Sequence, residues 1–281
     1  MPTRPTRRDF ARWIALAPWF PAVAAADDPP IRSLRVATFN IHHGEGDDGR
    51  LDLDRVVAAV RGADVVAFQE VDVRFRARSR FEDQAEALAG RLGGKVAFGG
   101  NLVEGDGRYG VALVTRFPIV AQRNHALPRS PGREKAEPRG LLEATVDAGG
   151  RPVRFFVTHL AHDSPADRKL QVARVRDLVL AGTGPFVLMG DLNLRPDTAD
   201  YADLVAPAPG GDGGPWVVDA WVRAGRGDGA TIGLGGKSPG RIDYILASPD
   251  VAAGLDEVRV DATTKASDHQ PVLATFRWPP A

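Results

Sequence analysis

Six short polar motifs punctuate this chain of 281 residues, each beside an apolar run. They read Thr38-Phe39-Asn40-Ile41-His42, Gln69-Glu70-Val71, Thr158-His159-Leu160, Gly190-Asp191-Leu192-Asn193, Arg241-Ile242-Asp243-Tyr244 and Ser267-Asp268-His269-Gln270-Pro271. Strand ends converge in space while the loops between them vary, so acids, amides and imidazoles at such ends point to one shared site. Carboxylate and amide oxygens suit a hard cation, and imidazoles suit proton transfer and phosphate. Together they point to metal-assisted phosphoester hydrolysis.

Asp191 and Asn193 stand two residues apart after an extended run, so their side chains point the same way. Such a carboxylate–amide pair can bind a metal-activated water or a phosphate oxygen, and Gly190 before it permits a sharp turn or close approach. Glu70 ends the run Val65-Val66-Ala67-Phe68, where a carboxylate must be paired or coordinated. It reads either as a metal ligand or as the ion-pair partner of Arg74 or Arg76. Asn40 ends its strand in the same way and could lend an amide oxygen to the same ion. His159 and His269 each lie beside candidate ligands, and Asp243 is the natural carboxylate to orient the His269 ring, unless it pairs with Arg241. His42, His43 and His162 read as groups supporting these.

The elements that must position these residues follow from periodicity. Buried strand runs cover 34–41, 64–70 and 185–190, with helical spacing over 51–61 and 82–92. Strands are expected at 109–115 and 118–122, a hairpin at 141–146 and 153–160, and late strands at 241–247, 257–260 and 271–277. A long helix over 165–180 starts with Ser164 as cap and Pro165 in its first turn. Glycine-rich stretches at 209–214 and 225–240 read as surface loops. Strands alternating with helices early, and strand pairs in the middle and at the end, predict an α/β sandwich of two mixed sheets flanked by helices. The motifs span the chain and must meet, so residues 33–278 form one domain.

Residues 1–26 differ in character. Arg7-Arg8-Asp9-Phe10, a short apolar run and an alanine-rich end form a secretory signal of the twin-arginine type, cut after Ala24 or Ala26. Residues 27–32 are a linker, and the expected location is periplasmic or secreted, with no stable membrane span after signal removal. Four of the 36 basic and one of the 36 acidic residues lie in 1–26, which leaves 32 against 35 and a net charge of −3. Such a surface has no general attraction for polyanions. With no cysteine, any metal must be held by oxygen and imidazole.

The motifs resemble those of the endonuclease/exonuclease/phosphatase superfamily, in order and over about residues 33–278. The resemblance implies a four-layer α/β sandwich and Mg²⁺- or Mn²⁺-dependent phosphoester hydrolysis. It makes Glu70 the principal metal ligand with Asn40 close by, and has Asp268 assist metal binding. Asp191 and Asn193 would position the nucleophile and phosphate, and His159 would stabilise phosphoryl oxygens or protonate the leaving group. His269 and Asp243 would form the general-base pair, with attack in line. The abasic-site branch has a carboxylate where this chain has His42. Asn40-Ile41-His42-His43-Gly44, Asp83-Gln84 and Glu137-Pro138-Arg139-Gly140 are more similar to small bacterial metal-dependent hydrolases of the superfamily.

Arg139, Arg74 and Tyr109 are the expected substrate contacts. Arg74, Arg76, Arg78 and Arg80 alternate after Glu70, either as an anion-binding rim or as a solvated loop balanced by Glu82 and Asp83. No aromatics alternate with basic residues as a single-strand stacking platform requires. The expected protein is a monomeric exported phosphodiesterase on a lipid headgroup or small phosphoester. A secreted nuclease ranks second, and a non-catalytic binding protein on the same fold third.

Overall fold

The structure is a computed structural model that describes residues 31–208, 213–234 and 238–278. The expected signal segment 1–26, most of the expected linker and parts of both glycine-rich stretches lie outside the described residues.

Among the described residues, twelve strands form two six-stranded sheets. In the first, β1 (Ser33–Asn40) and β2 (Val65–Val73) are parallel neighbours, joined through α1 (Leu53–Ala59). β3 (Lys95–Glu104) and β4 (Gly107–Thr115) extend one side, and β11 (Leu255–Val260) and β12 (Val272–Arg277) the other, in the order β11-β12-β1-β2-β4-β3. The second sheet is built alike. Its parallel pair is β7 (Pro152–His159) and β8 (Phe186–Asp191), joined through α3 (Pro165–Leu180). With β5 (Ile119–Ala126), β6 (Gly140–Asp147), β9 (Val218–Asp219) and β10 (Asp243–Ala247) the order is β5-β6-β7-β8-β10-β9.

Strand period two assigns the faces. Leu34, Val36, Val65, Ala67, Leu142, Val153, Phe155, Val157, Val187, Met189 and Ile245 form the core between the sheets. Phe39, Val66 and Phe68 face the other way, against Val56 of α1, Val60 just past its end and Leu88 of α2 (Gln84–Leu92). Phe156 and Leu188 likewise pack on Val172, Val175 and Val179 of α3 and Leu204 of α4 (Ala199–Val205). Helix, sheet, sheet, helix gives four layers. Each sheet buries both faces, which is why its central strands read as near-continuous apolar runs.

Helix boundaries follow their caps. Asp52 starts α1 by accepting from the amides of Asp54 and Arg55, Asp83 starts α2, and Ser164 starts α3. These caps trim the first two helices from their expected spans. β3, α4, α5 (Ala220–Ala224), α6 (Pro249–Ala252) and β9 were not legible, and β5 runs four residues past its expected end. β5 is an edge strand with mostly exposed residues, so no apolar alternation marks it.

Candidate active site

The inward face of each central strand ends in a polar residue. Leu34, Val36 and Thr38 lead to Asn40, and Val153, Phe155 and Val157 to His159. Val187 and Met189 lead to Asp191, and in the opposite sense Ala247 and Ile245 lead to Asp243. Register aligns them: Asp191 pairs directly with His159 on one side and Asp243 on the other. Apolar strand interiors thereby build the scaffold, and the first polar position of each lands at one end of the cleft between the sheets.

Glu70 arrives differently. Unbroken alternation would put it beside Val66 and Phe68, under the helices. A β-bulge between Gln69 and Val71 and a left-handed φ of 61° turn it aside. Its Oε1 accepts from Asn40 Nδ2 at 3.0 Å, and Val71 takes the outer position. Neither Arg74 nor Arg76 pairs with it.

Asp191 stands at the centre. Its Oδ2 accepts from Asn40 Nδ2 at 3.1 Å and lies 3.3 Å from His159 Nε2 and 3.7 Å from His269 Nε2. Its Oδ1 accepts the Asn193 amide at 2.9 Å. Gly190 permits this crowding: with φ +148°, an added Cβ would stand 2.0 Å from the Thr158 carbonyl oxygen. His269 Nδ1 is 2.9 Å from Asp243 Oδ2, while Arg241 pairs instead with Asp219 at 2.7 Å. Ser267, which opens the last motif but was given no role there, donates to the Asn40 carbonyl at 2.8 Å and accepts the His269 amide, tying that motif to the first strand.

Burial and the nearby Asp243 charge push the Asp191 carboxyl up to about 7. Burial disfavours the His269 imidazolium, but Asp243 outweighs it and raises that group to about 10. His159 is held well below the ordinary histidine value by burial and by the Arg139 charge. The site therefore sets a neutral imidazole and a strongly basic one on opposite sides of one carboxylate.

Several expected contacts change. Asn40 Oδ1 accepts the His42 amide at 3.1 Å, so its NH₂ group, not its oxygen, faces Glu70 and Asp191. Asn40 bridges two carboxylates and is not placed as a ligand. Asp268 is exposed, its Oδ1 3.2 Å from Ser267 Oγ, and stands outside the Glu70 cluster. The alternating arginines are largely engaged: Arg76 with Glu104 at 2.7 Å, Arg78 with Asp72 at 2.9 Å and exposed Arg74 with Asp83 at 3.7 Å. Arg74 is exposed and does not line the cleft shared by Tyr109, Arg139 and His159.

Tyr109 and Arg139 do join the site, lining a narrow cleft with Asn101, Glu137, Pro138 and His159. Arg139 is buried, 2.9 Å from Glu137 Oε1 and 3.4 Å from His162 Nδ1. Asn193 donates through Nδ2 to the Leu160 carbonyl at 3.0 Å. It borders a second cavity of about 630 Å³ with Thr198, Ile232, Ile242 and two basic residues that no motif flagged, Arg168 and Arg195.

The donor set tests whether a divalent ion fits. Around Glu70, His42 and His43 each offer a ligand atom, the three lying within 4.8 Å of one another. A carboxylate with two imidazoles is a sound set for a divalent cation. Asp191, Asp243 and His269 form a second such group. There Asp191 is engaged by Asn40, Asn193 and the two imidazoles and Asp243 Oδ2 by His269, while Asp243 Oδ1 has no hydrogen-bond partner among the described residues.

The family model of the Endonuclease/Exonuclease/phosphatase family matches residues 37–269. The chain is 30% identical over 174 residues to YbhP of Escherichia coli, spanning 57% of this chain and 67% of that protein. It is 26% identical over 107 residues to sphingomyelinase C of Listeria ivanovii, spanning 34% of this chain and 32% of that enzyme. The crystal structure of an endonuclease/exonuclease/phosphatase from Beutenbergia cavernae superposes with a TM-score of 0.71 at 28% identity, covering 88% of this chain and 72% of that one. With the fold, the ordered motifs and the family match in agreement, the chain belongs to the endonuclease/exonuclease/phosphatase family.

Proposed function

We propose that this protein is an exported, divalent-metal-dependent phosphodiesterase acting on a lipid headgroup or a small phosphoester. One observation carries the chemistry: Asn40, Glu70, His159, Asp191, Asp243 and His269 meet within hydrogen-bonding reach from both sheets.

Glu70 would hold the divalent ion, which would supply Lewis-acid stabilisation of phosphoryl and leaving oxygens when bound. The protein's own groups do the rest. Asp243 holds His269 at Nδ1, which leaves Nε2 directed toward Asp191, where its unprotonated form would take the proton of an attacking water. Asp191 orients that water. His159, neutral at working pH, hydrogen-bonds a phosphoryl oxygen, and Arg139 and Asn193 stabilise the charge that spreads during in-line displacement.

The substrate class rests on the net charge of −3 without residues 1–26, on the absence of a stacking platform, and on the similarity to a sphingomyelinase. The test is hydrolysis of bis-p-nitrophenyl phosphate, p-nitrophenyl phosphate, plasmid DNA and phospholipid vesicles, with and without chelator. Diester and phospholipid cleavage that chelator abolishes is expected. Undiminished hydrolysis in chelator, or plasmid DNA as the best substrate, would overturn the proposal.

A further inference from the structure

We infer that His42 and His43 are direct metal ligands with Glu70, which makes the centre selective for a first-row transition-metal ion with imidazole affinity over Mg²⁺. The inference rests on the metal-dependent reading above and deepens it by naming the donors and the class of ion.

Three donors around one ion at about 2.0–2.2 Å stand at most about 4.4 Å apart. The ligand atoms of His42, His43 and Glu70 already lie within 4.8 Å of one another, so small side-chain rotations complete the set. His43 is buried, and its Nδ1 has no hydrogen-bond partner among the described residues. A buried imidazole nitrogen without a partner costs free energy unless something else satisfies it. Its Nε2 lies 3.5 Å from Glu45, and the His42 and His43 rings meet edge to face with centroids 4.5 Å apart.

The backbone is bent to bring the three together. His42, His43 and Glu70 have φ values of 44°, 46° and 61°, the left-handed region that residues with a Cβ rarely adopt. Specific bonds hold this arrangement. Asn40 Oδ1 fixes the His42 amide, and buried Gln84 donates to the His43 carbonyl at 2.6 Å while accepting the Asp72 amide. Gly44 closes the turn with φ +84°, where an added Cβ would stand 2.8 Å from Leu53. Mg²⁺ prefers oxygen ligands and retained water, whereas two imidazoles and one carboxylate suit zinc, cobalt or ferrous iron.

Co²⁺ is the probe, titrated into the full chain and followed by its visible d–d absorption and by the shifted ring N–H proton resonances of coordinated imidazoles. The expected result is one bound Co²⁺ with two such exchangeable resonances, resistant to about a hundredfold excess of Mg²⁺ and displaced by Zn²⁺. His42→Asn should weaken Co²⁺ by at least about tenfold and remove one resonance, and His42→Asp should let Mg²⁺ compete. Far-UV circular dichroism checks the fold, and since His43→Gln alters a buried site, half-exposed His42 carries the decision. Co²⁺ binding unchanged in His42→Asn, or displaced by equimolar Mg²⁺, overturns the inference. Hydrolysis supported by Mg²⁺ with no imidazole resonance sinks the ligand assignment and leaves the proposed function standing. Two-histidine Co²⁺ binding without hydrolysis of any phosphoester does the reverse.

Discussion

Asp243 and His269 meet at 2.9 Å across 26 residues of chain, and the carboxylate is fully inside the protein while the ring's other nitrogen faces Asp191. If Asp243 acts only by orienting and stabilising the imidazole, the two side chains form one functional unit. His269→Ala and Asp243→Ala should each lower kcat/KM by ~10²–10⁴-fold, and the double variant should be little worse than His269→Ala. Independent, multiplying losses in a double-mutant cycle would remove Asp243 from the mechanism.

The same pair sets the pH dependence. His269 is raised to about 10: burial opposes the imidazolium, but Asp243 more than compensates. A group with a raised folded pKa stabilises the fold fully below about 6.5, its unfolded value, and loses that contribution as pH rises through about 10. Catalysis needs the free base, so kcat/KM should climb on the alkaline side of neutrality. Asp243→Asn should move that limb to lower pH while lowering its plateau. A pH–rate profile that leaves the limb in place would separate the limb from His269.

Much of this was legible in the residues because strand alternation and site geometry are the same fact. Asn40, His159, Asp191 and Asp243 each continue an inward apolar series, so buried runs ending in a polar residue predicted both strand and site. Glu70 was found by its residue type, but its placement depends on a bulge that period two does not encode. The direction of the Asn40 amide depends on one backbone bond from His42, and the partners of the arginines depend on tertiary contacts with Asp72, Asp83 and Glu104. The role of Ser267, though it opens the last motif, was not legible because it joins two backbone segments 227 residues apart.

The proposed export signal lies in residues outside the described structure. Fused to a reporter, residues 1–26 should send it across the membrane, and the Arg7→Lys with Arg8→Lys variant should block transport. Unchanged transport in that variant would assign the segment to another route.

The last prediction concerns the loop that ends at Arg139. Buried Asp167, in the first turn of α3, accepts the Ser130 amide at 2.7 Å and Arg133 Nε at 2.8 Å, and Ser130 Oγ also donates to it. Gln171 adds a bond to the Pro128 carbonyl at 3.2 Å, so the loop is stitched to the helix. Burial raises the Asp167 carboxyl, but these donors outweigh it and hold the group at about 2. A lowered folded pKa means the stabilisation is present above about pH 4 and is lost as pH falls through about 2. Asp167→Asn should therefore cost about 1–3 kcal/mol at neutral pH, the range for hydrogen bonds to a charged group. The gap in urea midpoint should narrow steadily below about pH 4. Arg139 is separately anchored, since its carbonyl accepts the Leu127 amide at 3.0 Å. For that reason kcat/KM should fall by less than about tenfold, with the main loss in stability. A midpoint gap that stays constant down to about pH 3 would show that packing, not the carboxylate's charge, ties this loop to the helix.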